Sequence, residues 1–307
     1  MNILDNSKTE VYYRERITGR KVSETIFAER TLRWFYENYF GFQVFKYALN
    51  NSAFCWLYGK LQDLPSSCQK IPEFVDKYQI NIEDAELALE NYKSFNAFFS
   101  RRLKPEARPF AQAKNLFCAP GDGKVLVYPE LLSETRLLVK GSSITLASLL
   151  TSEVDAKTYI GGSAMVARLA PYDYHRFHFP DDGEASLTRK IKGQYHSVNP
   201  IALSKIPDLY CRNKRAVTEF HSKNFGRIAY VEVGAITVGT IIQTYTPGSV
   251  LRGQEKGYFQ YGGSTLILLF EPEAIAFDED LIADSTAGIE VHVLAGSSIG
   301  KNLKKDN

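Results

Sequence analysis

Cysteine is scarce in this chain. There are four in 307 residues, Cys55, Cys68, Cys118 and Cys211, and no CxxC pair among them. That pattern argues against a disulfide scaffold or a zinc ribbon and fits free thiols in a reducing compartment. Excess charge is also missing, since 37 Lys and Arg stand against 35 Asp and Glu. Nucleic-acid binding through bulk charge is therefore not expected. No window of about 18 uninterrupted apolar residues occurs, so a membrane-spanning helix is not expected. The N-terminal MNILDNSKTEVYYRERITGRK mixes charges and has no apolar core, which does not read as a secretory signal. Fixed-period repeats and low-complexity tracts are absent. With 44% hydrophobic and 23% charged residues, the chain has the composition of a folded globular protein of one or two domains.

The character of the chain changes near residue 115. Residues 1–115 read as a helical region and residues 116–307 as a β-rich one. Residues 30–61 hold both tryptophans, Trp34 and Trp56, and many other aromatics, punctuated by Arg30, Arg33, Lys46 and Lys60. Aromatic rings with one wet end suit a membrane–water interface, and helices can lie there without crossing. A packed aromatic helical pair that never meets lipid explains the same pattern. A further helical stretch is expected over 76–105, stopped by Pro105 and Pro109. After it the period shortens. GKVLVYP (123–129), RLLVKG (136–141), AMVARLA (164–170), IAYVEVGAITVGTIIQTY (228–245) and STLILLFEP (264–272) read as strands, with a short helix at 144–152. The terminal KNLKKDN reads as a frayed tail.

Three places carry possible chemistry. LAPYDYHRFHFP (169–180) holds His175 and His178 beside Asp173, but no further ligand set accompanies them, so a metal is not expected. Asp122 lies in APGDGKV, where an aspartate hydrogen-bonding its own turn is the plain explanation. Ser264 follows Gly262 and Gly263 at the entrance to a long apolar strand. A glycine leaves its carbonyl unshielded, and a serine can attack the carbonyl before it once a base takes its proton. Asp122, His178 and Ser264 supply the parts of an Asp–His–Ser relay, although their spacing does not show that they meet. The Gly-Ser of AGSSIG (295–300) leads to a lysine-rich tail and reads better as a turn.

Together these segments resemble the pyruvoyl-dependent phosphatidylserine decarboxylases. DYHRFHFP (173–180) looks like that family's histidine motif, GDG (121–123) its aspartate motif, and KGYFQYGGSTLILLF (256–270) its self-cleavage segment. FFSRRLKPEARP (98–109), HSVNP (196–200) and VEVGAITVG (231–239) support the match, which runs in order from about residue 90 to 272. GGST stands here where some members have LGST; the glycine before the serine is kept.

The resemblance implies an α+β fold, with an N-terminal helical, membrane-associating region packed on a mostly antiparallel β-rich catalytic core. It implies that His178, held by Asp122, takes the Ser264 proton. Ser264 then attacks Gly263, and the chain divides into a large piece, 1–263, and a small one, 264–307, which pair as a heterodimer. Residue 264 becomes a pyruvoyl group, the cofactor for decarboxylating phosphatidylserine to phosphatidylethanolamine, with His175 a candidate proton donor. Two acyl chains would cost more than ~20 kcal/mol to expose to water, so the lipid must be met in an anionic bilayer. That favours the interfacial reading of 30–61 and a peripheral place on the cytoplasmic side of the cell membrane. Arg101, Arg102, Lys104 and Arg108 are open to headgroup contact or to plain solvation. A membrane-surface binding protein without catalysis and a serine hydrolase are the competing readings; the latter lacks a GxSxG elbow.

Overall fold

STLILLF becomes the central strand, Ser264–Phe270, and all seven of its residues are buried. Alternate side chains leave a strand on opposite faces, and this one has a core on each. Leu266, Leu268 and Phe270 pack into one cluster with Met165, Phe177 and Tyr230. Ile267 and Leu269 pack into the other with Val166, Val231 and a set of short helices. Each such side chain contributes about 1.5–3 kcal/mol by leaving water. A strand covered on both faces reads as a continuous apolar run, which is why its sequence shows no alternation.

The computed structural model describes residues 11–131, 137–139, 142–206, 208–236, 240–262 and 264–303. Its architecture is mixed α and β around one large, mainly antiparallel sheet. Ser264–Phe270 lies between Gly226–Val233 and Ser163–Leu169. Beyond the latter come Gly123–Tyr128, Glu290–Val293, Tyr12–Glu15 and Lys21–Ser23; beyond the former come Arg215–Ser222, Gly183–Ala185 and Gly248–Val250. The pairing of Tyr12–Glu15 with Glu290–Val293 is parallel. No helix among the described residues is long and apolar enough to cross a membrane.

The expected strands at 123–129, 164–170 and 264–272 form, as does the short helix, Leu146–Leu150, capped by the Thr145 hydroxyl. Of RLLVKG, Leu137–Val139 is a strand and residues 136, 140 and 141 lie outside the described residues. The run at 228–245 divides into Gly226–Val233 and Ile241–Gln243, with 237–239 outside the described residues.

Three expectations need correction. The stretch 76–105 is not one helix. Ile71–Tyr78 ends at Gln79 in the left-handed region (φ 51°), Asn81 Oδ1 accepts the Glu83 N–H in a turn, and Ser94 caps a new short helix, Phe95–Phe99. Asn and Ser compete for backbone hydrogen bonds in this way and break the period. The tail is not frayed at 301–302, because Ser298–Asn302 pairs with both Ile275–Phe277 and Leu116–Cys118; 304–307 lie outside the described residues. The first 115 residues are not helical throughout, since Tyr12–Glu15 and Lys21–Ser23 extend the main sheet.

The aromatic segment folds as Glu29–Glu37, Tyr39–Val44, a π-helical turn at Phe45–Leu49, and Ser52–Asp63. Buried Tyr36 docks it on the core through its hydroxyl, which accepts the Ser197 N–H at 2.9 Å. HSVNP therefore serves this seam, and Asn199 caps the helix Pro200–Lys205.

Candidate active site

Ser264 opens the central strand opposite Leu169, the last residue of its neighbour. Immediately after Leu169 the sequence Ala-Pro-Tyr-Asp reverses the chain. Asp173 N–H donates to the Ala170 carbonyl, and Asp173 Oδ2 accepts the Ala170 N–H at 2.7 Å. Proline and aspartate are suited to such a turn. The reversal brings His175 over Ser264, with Nδ1 3.3 Å from the serine Oγ. The other ring nitrogen, Nε2, lies 3.0 Å from the Ala170 carbonyl. Only a protonated Nε2 satisfies that carbonyl, which leaves Nδ1 free to accept from the serine. Both residues are wholly buried. Phe99 stacks on the imidazole at 4.0 Å between centroids. Burial pushes the His175 pKa down to about 3, with Arg101 and Lys124 adding to the effect and Asp173 opposing it.

Asp173 is fixed by Lys124, whose Nζ donates to both carboxylate oxygens at 2.9 Å with both side chains buried. Burial alone would raise this carboxyl; Lys124, His292 and the Ala170 N–H together hold it below its ordinary value.

Asp122 does not cap its own turn. Its carboxylate accepts from Arg108 Nε and Nη2 at 2.9 and 2.7 Å and from the Ala295 N–H at 2.8 Å. Arg108 also reaches Asp84 at 3.0 Å. His178 lies on a segment distant in the chain but adjoining in space, its N–H donating to the Pro120 carbonyl at 2.7 Å. Its ring lies between Tyr174 and Phe110, and its buried Nδ1 has no hydrogen-bond partner among the described residues. Burial lowers its pKa to about 4, against the pull of Glu255 and Asp122. The structure thus brings His175 to Ser264 and sets Asp122 and His178 on adjoining segments. Among the described residues it draws no hydrogen bond from His178 to either Asp122 or Ser264.

Gly263 lies outside the described residues. On its near side, Gly262 has φ 134°, a conformation that side chains of L-residues rarely adopt. Tyr261 N–H donates to Asn96 Oδ1, and the Tyr261 ring packs against Phe95, Phe99 and Tyr58. The segment before it, Glu255–Phe259, is held by a pair that the sequence did not single out. Lys256 Nζ meets Glu232 Oε1 at 2.5 Å and Gln243 Oε1 at 2.8 Å, with Lys256 and Glu232 fully buried. This pair joins KGYFQYGGST to VEVGAITVG. A glutamate between two valines, Val231 and Val233, was its trace in the sequence.

Two cavities flank the site. One, of about 270 Å³, is mainly apolar and runs from Gly262 and Leu169 to Phe27, Leu32, Phe35 and Tyr58. The other, of about 230 Å³, is polar and includes Arg101, Asp122, Lys124, Asp173 and Tyr174. Tyr172 lies in the wall of both.

A family model described as phosphatidylserine decarboxylase matches residues 95–301, which extends past the segments noted above to the last strand. A phosphatidylserine decarboxylase proenzyme of Clostridium novyi (strain NT) is 42% identical over 299 residues, 97% of this chain and 98% of the relative. Proteins of the same name from Clostridium botulinum (strain Langeland) and Ruminiclostridium cellulolyticum are 44% and 41% identical. They cover 96% and 98% of this chain and 97% of each relative.

Proposed function

Because the chain belongs to the phosphatidylserine decarboxylase family, we propose that it releases the carboxylate of phosphatidylserine as CO2 and so makes phosphatidylethanolamine. We propose too that it readies itself by cutting its own backbone between Gly263 and Ser264. One observation carries this: a serine hydroxyl shut away from water, at the head of the central strand, against an imidazole nitrogen.

In the cut, the Ser264 oxygen attacks the Gly263 carbonyl while a histidine takes its proton, and the amide becomes an ester. Loss of the Ser264 α-proton expels the chain ending at Gly263 as a carboxylate. Water then replaces the nitrogen of residue 264 as ammonia and leaves a pyruvoyl group. His178 is the proposed base. Glu255 and Asp122 favour its charged form, and its buried Nδ1 is uncommitted to any hydrogen bond among the described residues. His175 suits this task less well, because its imidazolium would be wholly buried with Arg101 and Lys124 opposing it.

A carbonyl at position 264 fits the residues present. It would lie closed from water, against His175 and beside the mouth of the apolar cavity. Such a group would supply the electron sink for CO2 loss. His175 is then placed to deliver a proton to the substrate carbon, and Asp173 with Lys124 keeps its turn in place.

The lipid is proposed to be met at the membrane surface, peripherally and on the cytoplasmic side. Tyr39, Phe40 and Tyr47 are 76%, 75% and 72% exposed, with Trp56 and Leu57 also open. Large apolar side chains exposed on neighbouring helices favour an interfacial seat. The apolar cavity joins these helices to Gly262 and suits the glycerol and acyl portion. On this reading, 1–115 is the membrane-associating region and 116–307 the catalytic one.

The test is a set of variants followed on denaturing gels and by CO2 release. Ser264→Ala and His178→Ala should stay uncut, whereas His175→Ala should be cut and fail to decarboxylate. Cutting in His178→Ala with none in His175→Ala would transfer the base to His175. Cutting in Ser264→Ala would end the reading.

A further inference from the structure

The basic residues of FFSRRLKPEARP meet different fates. Arg102 and Lys104 are exposed, and Arg108 is occupied by Asp122 and Asp84. Arg101 is only 5% exposed. Its Nε and Nη1 have no hydrogen-bond partner among the described residues, and Nη2 reaches only the Tyr172 carbonyl, at 3.3 Å. Its guanidinium lies over the Phe98 ring at 5.0 Å. Arginine keeps its charge at any ordinary pH and carries five N–H donors. A buried guanidinium with idle donors and no carboxylate is therefore a destabilising arrangement unless something else completes it.

The carboxylates closest in influence cannot do so. Asp122 is held by Arg108 and the Ala295 N–H, and Asp173 by Lys124 and the Ala170 N–H. Arg101 is part of the wall of the polar cavity, which adjoins the apolar cavity at Tyr172. It is also tied to the reacting groups, because Phe99, two residues before it, stacks on the His175 ring beside Ser264.

We propose that Arg101 binds an oxyanion of the substrate headgroup. This rests on the decarboxylase reading and adds to it the residue that recognises the lipid's charge. The headgroup offers two oxyanions, a phosphodiester and the carboxylate that leaves. A guanidinium suits both. They differ in consequence. A phosphodiester contact is the same before and after CO2 loss and acts on binding alone, whereas a carboxylate contact disappears with the reaction.

The experiment compares cut wild-type, Arg101→Gln and Arg101→Lys proteins. Dihexanoyl-phosphatidylserine is the substrate and dihexanoyl-phosphatidylethanolamine the competing product. Self-cutting should persist in both variants. KM for the serine lipid should rise roughly 10- to 100-fold in Arg101→Gln, and Arg101→Lys should recover part of the loss. If Arg101 holds the phosphodiester, the inhibition constant of the ethanolamine lipid rises by the same factor. If it holds the carboxylate, that constant stays at the wild-type value while KM rises.

A second readout needs no turnover. Uncut Ser264→Ala protein should melt at a higher temperature with glycerophosphoserine, and the Ser264→Ala, Arg101→Gln double variant should not respond. An unchanged KM in cut, active Arg101→Gln overturns the assignment, and so does a fall in kcat alone. Should Arg101→Gln fail to fold, absence of the melting shift in Ser264→Ala overturns it equally. Failure of the decarboxylase reading would look different, since wild-type protein would then neither cut itself nor release CO2.

Discussion

The imidazoles of His175 and His178 are kept neutral by burial, with pKa values lowered to about 3 and about 4. A free histidine titrates near 6.5. The rate of self-cutting should therefore stay level between about pH 6 and about pH 8, and a decline centred near 6.5 would mean that the working ring is in water. Stability responds to the same shift with a definite sign. The folded pKa lies below the unfolded one, so the unfolded chain takes up protons first as pH falls. The stabilisation is whole above about pH 6.5 and is lost on the way down toward about 4 and 3. Each ring removes up to ~1.4 kcal/mol per pH unit over that window. Urea unfolding of Ser264→Ala protein between about pH 7.5 and 5 should show the decline, with a shallower slope in Ser264→Ala, His178→Gln. Equal slopes would contradict the burial of His178.

At this scale the sequence named candidate residues and left their pairing open. His175 reaches Ser264 because Ala170 to Asp173 reverse the chain, a consequence of a turn and of Lys124 lying 49 residues away. Asp122 is occupied by an arginine 14 residues before it and an N–H 173 residues after it. Local pattern holds no record of such long-range partners.

Among the elements, the strand Glu255–Phe259 shows how the approach to the proposed cut is held. Its Lys256 faces Glu232 with neither side chain touching water. Lys256→Met would leave the Glu232 carboxylate buried without a cation, with only the Gln243 amide donating to it, and should cost about 3–5 kcal/mol in urea unfolding. Adding Glu232→Leu should restore much of that, because a buried pair replaced by apolar groups is often near neutral. No recovery in the double variant would show that Gln243, which reaches both side chains, is destabilising once left unpaired. The helices Tyr39–Val44 and Ser52–Asp63 make a separate prediction. Replacing Tyr39, Phe40, Tyr47 and Trp56 by serine should abolish sedimentation with anionic vesicles while changing stability by about 0.5 kcal/mol or less per site. Retained sedimentation would refute the interfacial seat.

Elements were legible where one pattern decided them. STLILLF is apolar on both faces because both faces are covered, and Thr145 marks its helix by capping it. The stretch 76–105 misled because apolar residues at helical spacing continue through turns made by Asn81 and Ser94 side chains. Tyr12–Glu15 was missed because its partner, Glu290–Val293, lies at the other end of the chain.

For the whole molecule, the main sheet explains how a cut chain can remain one protein. Ser264–Phe270 would belong to the small piece, yet both of its neighbours, Gly226–Val233 and Ser163–Leu169, belong to the large one. Glu290–Val293 likewise lies between Gly123–Tyr128 and Tyr12–Glu15 of the large piece. The two pieces should therefore copurify through gel filtration and separate only on unfolding. The most direct measurement is the intact mass of denatured wild-type protein, with and without hydrazine. Two chains should appear, 1–263 and 264–307, the smaller lighter by one ammonia than its sequence and reactive with hydrazine. A single full-length chain in protein that releases CO2, with serine still at 264, would contradict self-cutting as the source of the activity.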